Sequence, residues 1–479
     1  MKKEKALNLC FFSHSSQLAG AERRLINLTS ELISDYGALC TVLIPNTGPL
    51  KEKLHSIGCT TLELPYYWWC IENENKLHTL PRRLKDSYFS IKKSAIIKRL
   101  KPDVIITNTL VIPWGAIFAY ENAIPHLWMV NEFGKADQGF HFYFGYDGTI
   151  QFIKSYSDKI ITCSHAVTSE LFNSPEQVEV AYDSFSNLPQ NITSIESIND
   201  VFSNDESFHL LMVGSILIGK GQLDAVNAVI ELIKNRGEKI ELVLIGYSNR
   251  EYQNVIETHI IHEGVQDKIR ILPFRDEIYP IMKSADLILL CSRKEAFGRV
   301  IAEGMLLNKP VIGTNSGGIT ELIQNGKTGF LYSHGNYFQL ADQIQELIHN
   351  PELRILMANN GKTFAMDKFC KKEFSGKFNA AFIKLKGIKK DKSLSRKIEM
   401  TSLYQAVLEG FNVGFPDNVR SDILSEHLER NEQVIYNLET QLIEREQEIL
   451  SFAMSKSWVI TRPLRKLVRF IKGKVNLKK

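Results

Sequence analysis

Two glutamates and a series of glycines in one stretch of the chain combine groups that bind phosphates with groups that bind hydroxyls. The stretch spans residues 292–332, SRKEAFGRVIAEGMLLNKPVIGTNSGGITELIQNGKTGFLY. Helical spacing after Gly298 predicts a helix there, and the free N–H groups and positive dipole at a helix start suit a phosphate. Gly298 would let that phosphate approach closely. The carboxylates of Glu295 and Glu303 only accept hydrogen bonds, so they suit paired hydroxyls.

The separation of Glu295 and Glu303 matches the dimensions of a nucleotide sugar. Glu303 lies about five residues along the predicted helix, or roughly 7–8 Å at about 1.5 Å per residue. That is close to the distance from a diphosphate to a ribose. Glu295 precedes the helix and would face the transferred sugar. An alternative needs no ligand, because Ser292-x-x-Glu295 also fits a helix capping box and Glu303 could be an ordinary solvated helix residue.

Alternating strands and helices supply the elements that would position these residues. The apolar run DLILLC, ending at Cys291, is typical of a buried strand, and GRVIAEGMLL after it has helical spacing. The second half of the chain repeats this alternation from HLLMVGS to TGFLY, and the first half has it from ALNLCFFSH to DKIITCS. The pattern predicts an α/β protein with two doubly wound parallel sheets.

The first turn of the second half contains a lysine between two glycines. Its sequence, GSILIGKG, matches Gly-x4-Gly-Lys between a strand and a helix. A Walker A loop requires Ser or Thr next to hold magnesium, and Gly221 stands there instead, which argues against a P-loop ATPase. Lys220 is then either a residue that neutralises phosphate charge or a surface lysine.

The pair Glu295-x7-Glu303 in EAFGRVIAEG, followed by KPVIGTNSGGITELIQNGKTGFLY, resembles the donor-binding signature of the retaining glycosyltransferases of family 4, which have the GT-B fold. The resemblance implies two Rossmann-like domains with a cleft between them. It implies transfer of a sugar from a nucleotide diphosphate sugar, with retention of configuration and with no metal or other cofactor. Lys220 and Glu295 would act in catalysis. The donor-binding residues that it implies in this half are Ser215, Lys220, Glu295, Phe297, Gly298, Arg299, Val300 and Glu303.

Two departures from the family concern the phosphate-binding turns. AGAERRLINL resembles the Gly-Gly-Ala-Glu-Arg entry of family 4 enzymes, with Ala19 replacing the first glycine, so Gly20 alone is expected near the donor. Ser215 stands where the family often has an arginine. With one charge fewer, Lys220 and the helix dipoles are expected to carry more of the phosphate charge.

A third departure concerns the group that would activate the acceptor. HLWMVNEFGKADQGF falls where many relatives carry a histidine, and this chain has Asn131 followed by Glu132. We predict Glu132 as the acceptor-activating residue. Three histidines are near in sequence, His14, His126 and His141, but a lone histidine in a loop is more often structural or solvated.

Length and composition indicate a soluble globular protein of more than one domain. The 479 residues are too many for one ordinary core, and 44% of them are hydrophobic and 23% charged. The seven scattered cysteines, without Cys-x-x-Cys, indicate neither a disulfide framework nor a zinc site and favour a reducing cytosol. MKKEKALNLCFF is interpreted as the first strand rather than a signal peptide, and no apolar run approaches the length of a membrane span.

The sequence predicts the following boundaries: an N-terminal Rossmann-like acceptor-side domain (1–190), a linker (191–207), a C-terminal Rossmann-like donor-binding domain (208–365), a helix crossing back to the first domain (366–388), a second linker (389–420), a coiled coil (421–453) and a basic amphipathic tail (455–479).

The two C-terminal segments predict additional partners. Leu428, Ile435, Leu438 and Leu442 follow a coiled-coil spacing, which favours a homo-oligomer, although a single helix packed on the body fits nearly as well. The tail 455–479 has nine basic residues and no acidic one. Because the net charge of the whole chain is +4, residues 1–454 have a net charge of +4 − 9 = −5. Its amphipathic spacing suits an anionic membrane surface, while packing on the protein is the alternative and nucleic acid is disfavoured. SKSWVITRPLR also resembles tails of bacterial surface-polysaccharide glycosyltransferases.

These features together predict a cytoplasmic glycosyltransferase, peripheral at the inner face of the cell membrane, with a glycan or lipid-linked glycan as acceptor. Base, sugar, acceptor and linkage stay open. Two alternatives besides the P-loop ATPase are a nucleotide-sugar epimerase of the same architecture and a non-catalytic membrane-recruiting adaptor with a degenerate body.

Overall fold

Parallel β-sheets form in both halves of the chain. The computed structural model describes residues 6–93, 95–172, 178–185, 188, 201–202 and 206–388. Strands of the first half are β1 (Asn8–Phe12), β2 (Leu39–Ile44), β3 (Thr60–Glu63), β4 (Cys70–Ile71), β5 (Val104–Asn108), β6 (His126–Val130), β7 (His141–Phe142), β8 (Lys159–Thr162) and β9 (Val178–Val180). Those of the second half are β10 (Phe208–Val213), β11 (Ile240–Ile245), β12 (Ile269–Leu272), β13 (Leu287–Leu290), β14 (Val311–Thr314) and β15 (Phe330–Tyr332).

Helices alternate with these strands. In the first half they are α1 (Gly20–Tyr36), α2 (Pro49–Ser56), α3 (Leu80–Lys93), α4 (Ala95–Leu100), α5 (Trp114–Glu121), α6 (Lys135–Gln138), α7 (Gly145–Tyr156) and α8 (His165–Leu171). In the second half they are α9 (Gln222–Arg236), α10 (Arg250–His262), α11 (Ile278–Ser284), α12 (Arg299–Leu306), α13 (Ile319–Leu322), α14 (Tyr337–His349), α15 (Pro351–Lys368) and α16 (Lys377–Lys386). Short 3-10 turns cover Glu74–Thr79 and Ile218–Lys220, and a π turn covers Lys372–Gly376.

Both large sheets are parallel and doubly wound, as the alternating pattern predicts. The first has the order β3-β2-β1-β5-β6-β8-β9 and the second the order β12-β11-β10-β13-β14-β15. In the register of the first sheet, Leu9 of β1 lies opposite Cys40 of β2 and Val104 of β5. The strand order reverses beside β1 and again beside β10. At such a reversal the loops after neighbouring strands diverge and leave a crevice beyond the carboxyl ends, which is where ligands bind in open α/β sheets.

Central strands are continuous apolar runs because helices cover both faces of each sheet. All four residues of β13, LILL, are buried, and all five of β6, HLWMV, are buried as well. The histidine in β6, His126, is satisfied internally, since its Nε2 lies 2.8 Å from Thr107 Oγ1. His126 is therefore a core residue of the sheet. All seven cysteines are free thiols in this structure.

The last described helix, α16, packs into the core of the first sheet. Phe378 and Phe382 are fully buried in one cluster with residues of β1. The rings of Phe11 and Phe382 meet edge to face with centroids 6.4 Å apart. The chain thus returns to the first sheet after completing the second. The domain boundaries themselves stay a prediction.

Several predicted segments lie outside the described residues. They are most of the linker 191–207, the linker 389–420, the coiled coil 421–453 and the basic tail 455–479. In the part of the chain that is described, no helix combines the length and the apolarity needed to cross a membrane.

Replacing Phe378 with alanine should destabilise the first sheet, because it leaves a cavity where a fully buried ring closes the core. We expect the free energy of unfolding to fall by about 3–5 kcal/mol, measured by urea denaturation. Ile383→Ala on the same helix is the matched control, because Ile383 is 58% exposed, and its effect should stay within about 0.5 kcal/mol. Equal, small effects of both variants would contradict the packing of α16.

Candidate functional site

A cavity of about 380 Å³ lies beyond the carboxyl ends of both large sheets and is lined by residues of both halves of the chain. The first half contributes the loops after β1, β5, β6, β8 and β9 and the segment between β3 and β4. The second half contributes the loops after β10 and β13. The volume is in the usual range of small-molecule sites, about 300–1,000 Å³. Because walls from both halves face one space, a ligand here would contact both.

The wall from the second half is built around an ion pair. Lys220 Nζ lies 2.8 Å from Glu295 Oε2, and the hydroxyl of Ser292 donates to the same carboxylate oxygen at 2.9 Å. Ser292 is fully buried, and its carbonyl accepts a hydrogen bond from Thr314 on β14. Burial opposes the charge of Lys220, yet the adjacent Glu295 carboxylate raises the pKa of the ammonium above its ordinary value. Lys220 is therefore a fixed cation in the cavity wall.

The turn that carries Lys220 admits only glycine at the next position. Gly221 has φ +71°, and a Cβ there would lie 2.0 Å from the carbonyl oxygen of Cys291. The backbone of α9 can therefore approach the end of β13 closely. A Ser or Thr in the position of the Walker A magnesium ligand would collide with Cys291, so the P-loop alternative is disfavoured on steric grounds as well.

Helix α12 begins where the glycine pattern predicts, with Gly298 as its N-cap in the left-handed region at φ +97°. Arg299, the first residue of the helix, forms an ion pair with Asp183 of the first half and contacts Glu303 Oε1 at 3.2 Å. The hydroxyl of Tyr279 donates to the same Glu303 oxygen at 3.3 Å. Arg299 is half-buried, and its guanidinium also covers the ring of Phe185. Glu303 is thus held by neighbours on both α11 and α12.

The wall from the first half starts at the N-terminus of α1. Gly20 is the first residue of the helix. A Cβ built on Gly20 would lie 3.7 Å from Cδ of Arg299. Glu22 in the first turn accepts hydrogen bonds from the N–H of Ala19 and the hydroxyl of Ser15. The same carboxylate lies 3.2 Å from His14 Nε2. Glu22 therefore holds together the whole loop between β1 and α1.

Two carboxylates in the loop after β6 complete that wall. Glu132 accepts hydrogen bonds from the N–H groups of Leu110 and Asn131 at 2.6 and 3.1 Å. Burial raises the pKa of Glu132 to about 8, despite these two bonds, which lower it. Asp137 caps α6 by accepting from the N–H groups of Phe133 and Gly134, and burial together with the nearby charge of Glu295 raises its pKa. Burial thus raises the pKa of both carboxyl groups in this wall.

Direct contacts between the halves set the width of the cleft. The carboxylate of Glu321 on α13 accepts the N–H groups of His165 and Ala166, at the start of α8, at 3.0 and 2.7 Å. Tyr182 donates its hydroxyl to the same carboxylate at 2.7 Å. Ser164, the N-cap of α8, donates to the carbonyl of Ala296, the residue after Glu295, at 2.6 Å. The loop that carries Glu295 is therefore tied to the first half of the chain.

The structure brings most of the predicted site residues together. Glu303 does not line the cavity, because its carboxylate faces Arg299 and Tyr279 instead. The residues that do line it are Gly20, Glu132, Ser215, Lys220, Glu295, Phe297, Gly298, Arg299 and Val300. Their roles stay predictions. In the described ranges no group of three or more His, Cys, Asp and Glu side chains is arranged to hold a metal ion.

Sequence patterns do not single out several of the cavity residues. They give no reason to prefer His14 over two other histidines, and they do not mark Trp68, Asp137 or Asp183. The only available signal was the run YYWW at 66–69, which is unusually aromatic for a segment between strands. The burial and partners of each residue had to come from the structure.

Two doubly wound parallel sheets that face one cleft, with a last helix that returns to the first sheet, define the GT-B class of fold. Anabaena HepE, solved in complex with UDP and glucose, has this arrangement with a TM-score of 0.63 and 20% identity, over 79% of this chain and 99% of that chain. Residues 194–364 match the family model described as "Glycosyl transferases group 1". This match includes residues 292–332 and agrees with their resemblance.

Curated relatives support the same assignment. N-acetyl-alpha-D-glucosaminyl L-malate synthase of Bacillus anthracis is 27% identical over 46% of this chain and 58% of the relative. An uncharacterized glycosyltransferase of Haemophilus influenzae is 25% identical over 74% of this chain and 94% of the relative. The chain spans about half the length of several other curated relatives that it matches.

Removing the charge of Glu321 should loosen the contact between the halves. In Glu321→Gln one of the two N–H groups at the start of α8 meets an amide NH2 instead of an acceptor. We expect a loss of about 1.5–3 kcal/mol in the free energy of unfolding, measured by urea denaturation. Glu346→Gln, an exposed glutamate on α14, is the control and should change little. An unchanged Glu321→Gln protein would mean that this carboxylate does not hold the cleft.

Stability should depend on pH through Glu132. Its folded pKa of about 8 exceeds the unfolded value, so the stability that it contributes is fully present at low pH and is lost as pH rises towards 8. Glu132→Gln lacks this titration. Between pH 5 and pH 8.5 the melting temperature of the variant, relative to wild type, should therefore rise by at least about 2 °C, measured by calorimetry. A constant difference across this range would show that Glu132 stays ionised.

Proposed function

We propose that the protein is a retaining glycosyltransferase that moves a sugar from a nucleotide diphosphate sugar to a hydroxyl of an acceptor glycan, without a metal. The observation that carries the proposal is the Lys220–Glu295 pair, held beside the start of α12 in a cleft between two doubly wound sheets. A cation, a helix N-terminus and a carboxylate are the groups that a diphosphate and an adjoining sugar require. The family match of residues 194–364 and the UDP and glucose bound by Anabaena HepE support the same donor class.

The reaction needs charge stabilisation more than covalent chemistry. The bond between the anomeric carbon and the diphosphate oxygen breaks, and the acceptor oxygen bonds to the same face of that carbon. The acceptor's proton passes to the leaving diphosphate. Lys220 and the N-termini of α12 and α9 would stabilise the negative charge that develops on the leaving group. The rest of catalysis would be the positioning of the two substrates.

Each wall would bind one part of the substrates. Glu295 would accept from hydroxyls of the transferred sugar while it holds Lys220 beside the diphosphate. Glu303 would bind the ribose once Arg299 turns from it towards the phosphates. Gly20 at the start of α1 would contact the diphosphate from the other side. Glu132 would face the acceptor, and with a pKa of about 8 it can exchange a proton near neutral pH.

The acceptor and cellular setting follow from residues outside the described part of the chain. The tail 455–479 combines nine basic residues with amphipathic spacing, which suits the inner face of a membrane with anionic lipids. We therefore propose a lipid-linked glycan as acceptor, a role in cell-surface polysaccharide synthesis, and a cytoplasmic, membrane-peripheral location. Pairing through 421–453 would make the protein an oligomer.

The epimerase alternative predicts a different product. An epimerase would convert the donor to its stereoisomer without an acceptor, whereas a transferase consumes the donor only by transfer or slow hydrolysis. The adaptor alternative predicts that no nucleotide sugar binds. The retention of Lys220, Glu295 and the α12 start in one cavity argues against a degenerate site.

Donor binding is the first test. Calorimetry with UDP, GDP, ADP and dTDP sugars in EDTA should identify one nucleotide sugar that binds to the wild type. Lys220→Met should weaken it roughly ten- to a hundredfold, because a charge-assisted contact worth about 1.5–3 kcal/mol is lost. Lys234→Met is the matched control, because Lys234 forms an equally short pair with Glu263, at 2.7 Å, away from the cavity.

Three outcomes would contradict the proposal. If no nucleotide sugar binds, the adaptor hypothesis replaces it. Binding of ATP alone, and only with magnesium, would restore the P-loop hypothesis. Conversion of the bound donor to a stereoisomer, seen by NMR without acceptor, would identify an epimerase.

The variant Glu303→Ala is measured with the same nucleotide sugars. Its affinity for the donor should fall if Glu303 binds the ribose.

A further inference from the structure

Unsatisfied polar atoms gather in the wall of the cavity that the first half of the chain provides. Among the described residues, His14 Nδ1, Thr109 Oγ1 and Asn131 Oδ1 are buried and have no hydrogen-bond partner, and all three residues line the cavity. Buried polar atoms in proteins are normally paired. Their concentration around one space indicates a ligand that brings several hydrogen-bonding groups of its own.

An aromatic surface adjoins these atoms. The indole N–H of Trp68 donates to the carbonyl of His14 at 2.8 Å, which fixes the orientation of the ring. Trp68 lies 5.6 Å from the His14 ring and 5.7 Å from the Phe140 ring, the latter edge to face. All three rings line the cavity. The loop after β1, the segment between β3 and β4 and the loop after α6 thus form one aromatic surface.

The run YYWW presents only one of its rings to the cavity. Tyr66 is buried, and its hydroxyl donates to the carbonyls of Ser13 and Leu43. Trp69 is buried and donates its indole N–H to the carbonyl of Leu110. These two anchors hold the segment, while Tyr67 is 47% exposed outside the cavity. Trp68 is the half-buried member, with ring surface left for a ligand.

The contacts of the His14 imidazole define which ring nitrogen donates and which accepts a hydrogen bond. Its Nε2 lies 3.2 Å from the Glu22 carboxylate, so the proton of a neutral ring belongs on Nε2. Burial lowers the pKa of His14 from its ordinary value, which keeps the ring neutral near pH 7. Nδ1 is then a hydrogen-bond acceptor. With Asn131 Oδ1, which also only accepts, it suits the hydroxyl groups of a ligand.

We propose that this wall is a binding subsite for a pyranose ring of the acceptor, with the apolar C–H face of the ring against Trp68 and its hydroxyls on His14 Nδ1 and Asn131 Oδ1. The inference rests on the proposed glycosyltransferase function and names the acceptor class for it. An aromatic face beside convergent acceptors fits a sugar, which is apolar on its faces and polar at its rim. A lipid chain would leave the polar atoms unpaired.

The subsite shares one cavity with the Lys220–Glu295 pair. Asp137 lines the same cavity and is close enough for the charges of Glu295 and Lys220 to act on its carboxylate. A sugar on Trp68 and a sugar held by Glu295 would therefore occupy the same space between the two sheets.

The test uses the full-length chain saturated with the nucleotide diphosphate of the donor identified by calorimetry. Methyl glycosides of glucose, galactose, N-acetylglucosamine and mannose are the probes, with 1-octanol as an apolar-chain probe. Saturation-transfer NMR should detect at least one glycoside through its ring C–H protons. Trp68→Leu should lower the affinity for that glycoside at least fivefold. Trp68→Phe should retain most of the affinity because it keeps an aromatic face.

Two further variants make the test specific. His14→Ala should lower the affinity for the same glycoside at least threefold. This variant provides an independent measurement if Trp68→Leu does not fold. Tyr67→Leu, next to Trp68 but outside the cavity, should leave glycoside binding unchanged. The donor affinity of every variant is measured as well. A variant that loses both donor and glycoside binding has a disrupted cleft rather than a local defect in the subsite.

The outcomes separate this inference from the proposed function. If the wild type binds a donor but none of the glycosides, or if the glycoside binds equally to Trp68→Leu and His14→Ala, the subsite is wrong while the donor site stands. Binding of octanol alone, sensitive to Trp68, would also overturn the sugar subsite. If the wild type binds no donor, the proposed function fails first.

Discussion

The cleft depends on one carboxylate that crosses from the second half of the chain to the first. Glu321 satisfies two N–H groups at the start of α8, which the helix itself cannot pair, and it accepts the Tyr182 hydroxyl as well. A carboxylate at a helix N-terminus is also favoured by the helix dipole. Because Ser164 of the same helix binds the carbonyl of Ala296, this junction positions the loop that carries Glu295. Together with the Arg299–Asp183 ion pair, this junction sets the separation of the two walls.

Charge inside the cleft is balanced pair by pair. Lys220 faces Glu295, and Arg299 faces both Asp183 and Glu303. An isolated charge would be costly in a partly buried site, so a carboxylate beside each cation stabilises its charged form until a ligand arrives. A diphosphate would bring its own negative charge to Lys220 and Arg299. The carboxylates would then turn to hydroxyls, which bind them without a charge of their own.

The departures of this chain from the family that its sequence resembles gain a physical context. Ser215 lacks the positive charge that members of that family often have after the strand corresponding to β10. Arg299 adds a guanidinium at the start of α12, beside the free N–H groups of the first helical turn. Asn131 lacks the imidazole expected after β6, while His14 brings one to the same cavity from the loop after β1. Function of this kind resides in the site rather than in one sequence position.

The sequence by itself determined the fold class and the placement of Glu295 and Gly298 before a helix start, because both depend on local patterns. Strands buried on both faces are continuous apolar runs, helices repeat at their own period, and Glu295, Gly298 and Glu303 belong to one strand-loop-helix unit whose geometry follows from their spacing. The start of α12 at Gly298 agrees with that pattern. Only the tertiary structure decided the opposite wall. His14, Trp68 and Asn131 meet there through contacts between segments far apart in the chain, and their unpaired atoms are evident only once every other partner is known. It also decided that Glu303 faces Arg299, since Asp183 and Tyr279, which hold the two, come from other elements.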